Sequence, residues 1–355
     1  MQFALTEDQM MLAEGTKSFL AAKASLTIVR EIATGDIGAE ADLRRQAAEM
    51  GISGVLGHVD NGGLGLGLVE AALIQEQLGY AVTPSDALTA AIATLALQSS
   101  EADQSALTIA GIARGETRVA IALTEFVSKR DGAGVEYSEK GLNGTALFCI
   151  GPADADIIIV SDVDGTVHLV KNDTSQVTVE RMSTIDRTRE VLKLSFKDTQ
   201  SEQLEGVNAS DLLRIARLLV AADTLGAAQC MIDKAVAYAM ERKQFGRTIG
   251  SFQAVKHMCA EMVAKLEPGR ALMWHAAHLT DTDDSEASLM ASLAASYMAE
   301  ASRFIARTST EVHGGMGFTD LLGLHYWFKR IGLNNQMFGG ATAARADAAK
   351  LQGWE

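Results

Sequence analysis

From Asn208 to about Arg242 the chain runs without a proline or a turn cluster. Its apolar side chains (Leu212, Leu213, Ile215, Leu219, Val220, Cys230, Ile232, Val236, Met240) fall at helical spacing. Such a segment reads as one helix, roughly 50 Å long at 1.5 Å per residue, and a helix of that length needs long neighbours to bury its apolar face. Asn208 or Ser210 can cap it. Ser251 can cap a second, with Phe252, Val255, Met258, Cys259 and Met262 on one face, and Pro268–Gly269 is expected to kink or end it. Ser285 can cap a third through Leu289, Leu293, Tyr297, Phe304, Ile305 and Val312, closing at Gly314–Gly315. A fourth is expected from about Leu321 or later. Four long amphipathic segments with short connections predict an antiparallel bundle over residues 206–355.

Two further zones precede the bundle. Residues 1–115 are rich in Ala and Leu, with helical periodicity in Asp42–Met50, Leu68–Leu78 and Ser85–Leu97, and predict five or six helices. Residues 116–205 break into short β-branched runs: Thr117–Glu125, Gly141–Ile150, Asp156–Ser161, Thr166–Val170, Gln176–Arg181 and Glu190–Phe196. Asp131–Gly132, Asn143–Gly144 and Asp164–Gly165 are expected at turns. The expected fold is mainly α with a small antiparallel β domain at its centre. No internal repeat or low-complexity segment is visible.

Composition removes several function classes. Lys and Arg number 31 against 45 Asp and Glu, a net charge of −14, which repels phosphate backbones and argues against nucleic acid as a partner. No run approaches the roughly 20 uninterrupted apolar residues of a membrane span. The acidic N-terminus lacks the basic start and apolar run of a signal peptide, so a cytoplasmic location is expected. Cys149, Cys230 and Cys259 have no metal-like spacing and lie in apolar contexts, as expected of reduced core thiols.

Each candidate constellation has a plain structural reading beside its functional one. Gly62–Gly67 lacks the preceding strand and the spacing of a dinucleotide fingerprint and reads as a turn between helices. His275 and His278, with Asp281 and Asp283 downstream, read as surface or packed histidines, not as a metal site. No nucleophile elbow or Walker loop is present. The stretch Glu241–Gly250 with Ser251-Phe-Gln253 is more informative. It brings a guanidinium (Arg242), an aromatic ring (Phe245) and an amide (Gln253) to one helical hairpin, where they could bind a phosphate and a purine. His313-Gly-Gly-Met-Gly-Phe-Thr319 ends the third helix and could let a ligand approach the backbone closely.

Together these residues resemble the acyl-CoA dehydrogenase family over essentially the whole chain. The likeness rests on Arg242-Lys-Gln-Phe-Gly246 with Phe252-Gln253, about 70 residues before His313-Gly-Gly-Met-Gly317. Ala122-Leu-Thr-Glu125 and Leu142-Asn-Gly-Thr145 add further landmarks. The resemblance implies the family's fold: an N-terminal helical domain, a small antiparallel β domain and a C-terminal four-helix bundle. It also implies FAD as cofactor, an acyl-CoA substrate and an electron-transfer acceptor. A carboxylate would take the α-proton while hydride leaves to the flavin.

The chain departs from the family at the reacting end. Gly339, within Phe338-Gly-Gly-Ala341, stands where the family usually carries its catalytic Glu. Ala216, before Arg217, stands at the alternative position of that base. The catalytic set is therefore expected to be empty, with Arg217 kept as a substrate contact. The flavin-ring wall is altered too. Glu125-Phe-Val-Ser-Lys-Arg-Asp131 replaces a Gly-rich segment, and Phe148-Cys-Ile150 replaces the family's Trp-Ile-Thr. The residues that the family turns toward a neighbouring chain's FAD are kept: Arg242, Phe245, Phe252, Gln253, Gly314 and Gly315. Glu311 stands where the family often has Gln. The resemblance thus points to a partner chain whose homologous sister subunit carries the Glu. Its length and the segment Thr184–Arg189 are similar to chains of α2β2 dehydrogenases acting on steroid side-chain CoA thioesters. Two readings compete: a self-sufficient enzyme using Glu241 or Asp320 as base, and a non-catalytic assembly protein on the same fold.

Overall fold

The computed structural model describes residues 4–100, 105–127, 130–172 and 175–354. Six helices precede the sheet among these residues: α1 Glu7–Lys23, α2 Leu26–Ala33, α3 Ile37–Glu49, α4 Leu68–Tyr80, α5 Ala87–Gln98 and α6 Ser105–Ala113. Thr6 opens α1 with a reciprocal capping box to Gln9. The glycine cluster is the turn into α4, as the sequence predicts. A Cβ at Gly67 would come within 2.7 Å of Asp281 Oδ2, whose carboxylate accepts from the first N–H groups of α4, Leu68 (2.6 Å) and Val69 (3.1 Å). Asp281 is therefore the cap of a distant helix and not part of a loose polar loop.

Eight strands form one sheet in the order β6-β7-β3-β1-β4-β5-β8, with β2 on β3. They are β1 Val119–Ala122, β2 Gly134–Ser138, β3 Gly141–Ile150, β4 Ile157–Ser161, β5 Thr166–Lys171, β6 Val177–Arg181, β7 Val191–Thr199 and β8 Glu202–Asn208. The expectation of a wholly antiparallel sheet needs one correction: β1 and β4 pair in parallel, Val119 opposite Ile157 through Ala122 opposite Val160. The run expected as one strand to Glu125 ends at Ala122, and a helical turn, α7 Thr124–Val127, follows. Asp164–Gly165 does turn the chain between β4 and β5. Asn143–Gly144 instead lies inside β3, where Gly144 pairs with Val135 and a Cβ would overlap the Gly134 carbonyl. That close approach, not a hairpin, requires the glycine.

The bundle is built from α8 Ala209–Glu241, α9 Gln253–Asp281, α10 Ala287–His313, α11 Leu324–Asn334 and α12 Gly340–Leu351. Asn208 caps α8 by accepting from Ser210 N–H at 2.9 Å. Helix α8 is the one described helix long and apolar enough to cross a membrane, and 94% of its most apolar stretch is buried inside the protein, as for a core helix. Three local expectations fail. Ser251 does not cap α9, because its hydroxyl donates back to Thr248 O. Glu286 rather than Ser285 precedes α10. Pro268 neither ends nor splits α9, which continues to Asp281. Cys149 and Cys230 are buried free thiols, and Cys259 is half-buried.

A buried polar cluster ties the three zones together. The Arg330 guanidinium, fully buried, donates to Asp186 Oδ2 (2.9 Å), Thr188 Oγ1 (2.6 Å), Asp223 Oδ2 (3.1 Å) and Thr83 O (3.2 Å). Arg189 donates to Asp223 Oδ2 (2.7 Å) and to Asn334. Asn334 Nδ2 donates to the other Asp223 oxygen at 2.7 Å. Burial and the neighbouring Arg330 charge push the Arg189 guanidinium down to about 10. The Asp186–Arg189 segment, between β6 and β7, thus clamps the sheet onto α8 and α11.

Candidate functional site

The nucleotide-like elements gather at one end of the bundle. Helix α8 ends at Arg242 and passes into a two-residue ladder, β9 Lys243–Gln244 against β10 Arg247–Thr248. The intervening turn has positive φ at both positions, Phe245 at 51° and Gly246 at 77°. That conformation suits a two-residue hairpin but is uphill for a phenylalanine. It holds the Phe245 ring out, 91% exposed, edge-on to the Phe252 ring with centroids 6.1 Å apart. The Arg247 guanidinium sits 4.0 Å over the other aromatic, Phe252. Gln253 is the first residue of α9, and its side chain is exposed, as is that of Arg242.

Helix α10 delivers the glycine segment to the same end. His313, its last residue, stacks on Tyr238 one turn before Arg242, with ring centroids 4.8 Å apart. Its Nδ1 faces Ser309 O at 2.7 Å, and burial lowers the imidazole pKa. Gly314 adopts φ 56° and ψ −139°, a glycine conformation, and a Cβ at Gly314 or Gly315 would meet nothing within 4 Å. Here packing does not select the glycines; backbone shape and open space do. Phe318 and Leu321 beyond them are also largely exposed. Glu311 is exposed as well, so its carboxylate is solvated.

The second set of residues lies inside the molecule, between α7, α8 and α12. Gly339 has φ 87°; a Cβ there would overlap Val127 Cγ1 of α7 and lie 2.6 Å from Ala343 Cβ and 3.4 Å from Arg217 Nη2. Ala216 is fully buried. Arg217, nearly as buried, donates from Nε to Phe338 O at 3.0 Å and pairs through Nη1 with Asp347, while its buried Nη2 has no partner. The cavity that Arg217 shares with Val220, Met298, Asn335 and Met337 is small. Across the sheet, Phe148 sits at φ 56° on a bulge of β3, with the Arg130 guanidinium 4.9 Å from its ring centroid. Ser128 and Lys129 of the altered segment lie outside the described residues. Glu241 and Asp320 are both exposed; Asp320 is paired with Arg30 and His325.

A flavin nucleotide brought to this chain would meet two unlike surfaces. The exposed hairpin ring, the cationic turn and the open glycine segment fit the ADP half of FAD approaching from outside the chain. The wall at Phe148, with Arg130 over the ring, and the crowded Gly339 position do not fit an isoalloxazine and a base within it. The sequence singled out both sets of residues but did not reveal Val127 in the space beside Gly339 or Arg247 on Phe252. A cation five residues before an aromatic was the available signal.

Comparison with known proteins matches these elements to one family. Residues 6–116 match the acyl-CoA dehydrogenase N-terminal domain, and residues 207–350 match the acyl-CoA dehydrogenase C-terminal domain. Acyl-CoA dehydrogenase IpdE2 of Mycobacterium tuberculosis is 30% identical over 91% of this chain and 91% of its own. Acyl-CoA dehydrogenase FadE34 of the same organism is also 30% identical over 86% of this chain, which spans only 42% of that longer protein. Among solved structures, the Tcur3481-Tcur3483 steroid ACAD superposes with a TM-score of 0.90 at 25% identity over 98% of each chain. The ChsE4-ChsE5 complex from Mycobacterium tuberculosis gives 0.90 at 23% identity over 100% of each, which speaks to the fold alone. With both terminal domains matched and IpdE2 aligned along nine-tenths of its length, the chain belongs to the acyl-CoA dehydrogenase family.

Proposed function

We propose that this chain is the base-lacking subunit of a heteromeric acyl-CoA dehydrogenase. It lends Arg242, Phe245, Phe252, Gln253, Gly314 and Gly315 to the ADP half of an FAD seated in a homologous sister subunit. That sister carries the catalytic Glu, and the complex passes electrons to an electron-transfer acceptor. The substrate is a CoA thioester, and the likeness to the Tcur3481-Tcur3483 steroid ACAD makes a steroid side chain the leading acyl group. The observation that carries this reading is the crowding at Gly339, where Val127 and Ala343 leave no room for a carboxylate side chain. FAD would accept the hydride at the sister's site. The present chain's part is binding: Arg242 pairs with the pyrophosphate, Phe245 covers the purine and the glycine segment admits the backbone. Arg217 holds the Phe338 carbonyl and Asp347 here, and its unpartnered Nη2 is left for the substrate contact.

Purified alone, the chain is expected to be colourless or poorly soluble and inactive with acyl-CoA. Co-expressed with a homologue bearing Glu at either base position, it should give a yellow complex that reduces an electron acceptor. Flavin bleaching by substrate in the lone chain would overturn the proposal. Arg242→Ala in the complex should weaken FAD retention by roughly ten- to a hundredfold, the loss of one charge-assisted contact. Unchanged retention removes Arg242 from the site.

A further inference from the structure

A second cavity opens away from the nucleotide turn, beside the altered wall at Phe148–Ile150, whose last residue lines it. It lies between the α2–α3 connection, the start of α5, the end of β3 at Ile150–Pro152 and the β6–β7 connection at Arg187–Glu190, and its volume is about 440 Å³. None of the nucleotide-turn or glycine-segment residues lines it. In a chain of net charge −14 its lining is cationic: Arg44, Arg118, Arg181, Arg187 and Arg189 against Glu40, Asp86 and Glu190.

The three carboxylates are already committed. Arg118 takes Glu40 (3.0 Å) and Asp86 (2.9 Å), and it also meets the solvent-exposed Asp154. Glu190 pairs with Arg181 and accepts from Ala153 N–H. Arg189 is held by Asp223 and Asn334 in the buried cluster. Arg44 on α3 and Arg187 on the facing wall have no ion-pair partner among the described residues. The N-terminus of α5, twelve residues long, opens into the same space through Leu88 and Thr89. Its N-cap Asp86 makes no side-chain cap bond, because the carboxylate is turned to Arg118. Two guanidinia without ion-pair partners, the half-buried Arg44 and the exposed Arg187, line one volume with the first turn of α5, whose Ala87 N–H is taken by Ser85 Oγ (3.1 Å). Ile32, Ile37, Leu88, Pro84 and Pro152 supply apolar walls.

We propose that this cavity binds a phosphate monoester of about nucleotide size, its dianion held between Arg44 and Arg187 at the start of α5 and its body against the apolar wall. Two free guanidinium charges match the roughly −2 charge of a phosphate monoester near neutral pH. The volume exceeds what an inorganic ion needs and suits a small organic ligand. Arg187 directly follows Asp186 and precedes Thr188, so occupancy of this site bears on the clamp that joins sheet and bundle.

The test is calorimetric titration of the full chain, or of its complex with the sister subunit, using adenosine 5′-monophosphate, adenosine, inorganic phosphate and succinate as probes. The monophosphate is expected to bind saturably at one site per chain, and at least tenfold more tightly than the other three. Arg187→Gln and Arg44→Gln should each weaken it at least tenfold, and Arg187→Lys should lose less. Arg307→Gln, an exposed charge on α10, should leave it unchanged. No saturable binding, succinate binding as tight as the monophosphate, or equal loss in Arg307→Gln would each overturn the proposal. So would loss of binding in Arg242→Ala with binding kept in Arg187→Gln, since the ligand would then sit at the nucleotide turn. FAD retention is read separately, so a failed nucleotide turn and a failed cavity give different results.

Discussion

Asp223 stands in the middle of an apolar helix and neutralises two guanidinia that have no water to turn to. Arg189 and Arg330 both reach its Oδ2 oxygen, and Asn334 takes the other. Removing the carboxylate would leave Arg189 buried without an ion-pair partner, beside an Arg330 paired with Asp186 alone. Asp223→Ala is expected to destabilise the fold by about 3–5 kcal/mol, read as a lower urea midpoint with an unchanged slope. A loss below about 1 kcal/mol would mean the cluster is hydrated. The sequence did not announce this cluster. Asp186, Asp223 and Arg330 are far apart along the chain, and Asp223 reads locally as one polar position in an Ala-rich face. Single residues with backbone peculiarities were more legible: glycines at 314 and 339 stood out, and both have positive φ. Phe245 stood out as an aromatic in a turn, but its strained φ could not be read before the hairpin was seen.

Between elements, the tightest contact is the crossing of α4 and α8. A Cβ at Gly79 would overlap Asp223 O, and one at Gly226 would overlap Glu76 O, so the two backbones touch. Gly226→Ala therefore forces the helices apart and is expected to cost about 1–3 kcal/mol or more. Thermal denaturation checks it, with Gly15→Ala, where nothing lies within 4 Å, as a neutral or stabilising control. The long helices were readable because three- and four-residue spacing persists over many turns. The strands β2 and β8 were not, because both are mostly exposed and carry few apolar side chains. Strand direction was hidden as well. Val119–Ala122 and Ile157–Ser161 are short apolar runs, and such runs pair either way. Caps were misread where a neighbouring acid or backbone took the role expected of Ser251 and Ser285.

Over the whole molecule, acid sensitivity follows from three histidines. His168, His313 and His325 all have pKa values lowered, chiefly by burial, and nearby carboxylates oppose the shift at His168 and His325. In the unfolded chain they protonate near the ordinary value of about 6.5; in the folded chain they resist. Unfolding therefore takes up protons as pH falls through and below about 6.5, and stability declines with it. Chemical denaturation at pH 7.5 and pH 5.5 should give a lower free energy at the acid value. An equal or higher one would show that the buried carboxyls Glu76 and Asp281, whose pKa values burial raises, outweigh the histidines. The order of helical, β and helical zones was legible from composition alone. The contacts that join the zones were not, because they are made by polar residues whose partners come from other parts of the chain.

The packing of Val127 against Gly339 bears on how such a chain can change through time. An acid regained at position 339 meets both a left-handed backbone and the α7 side chain above it. Neither obstacle is lifted by altering the other alone. On the proposed division of labour, one substitution at 339 does not restore a self-contained catalyst, and such a chain would stay dependent on the subunit that holds the proton acceptor.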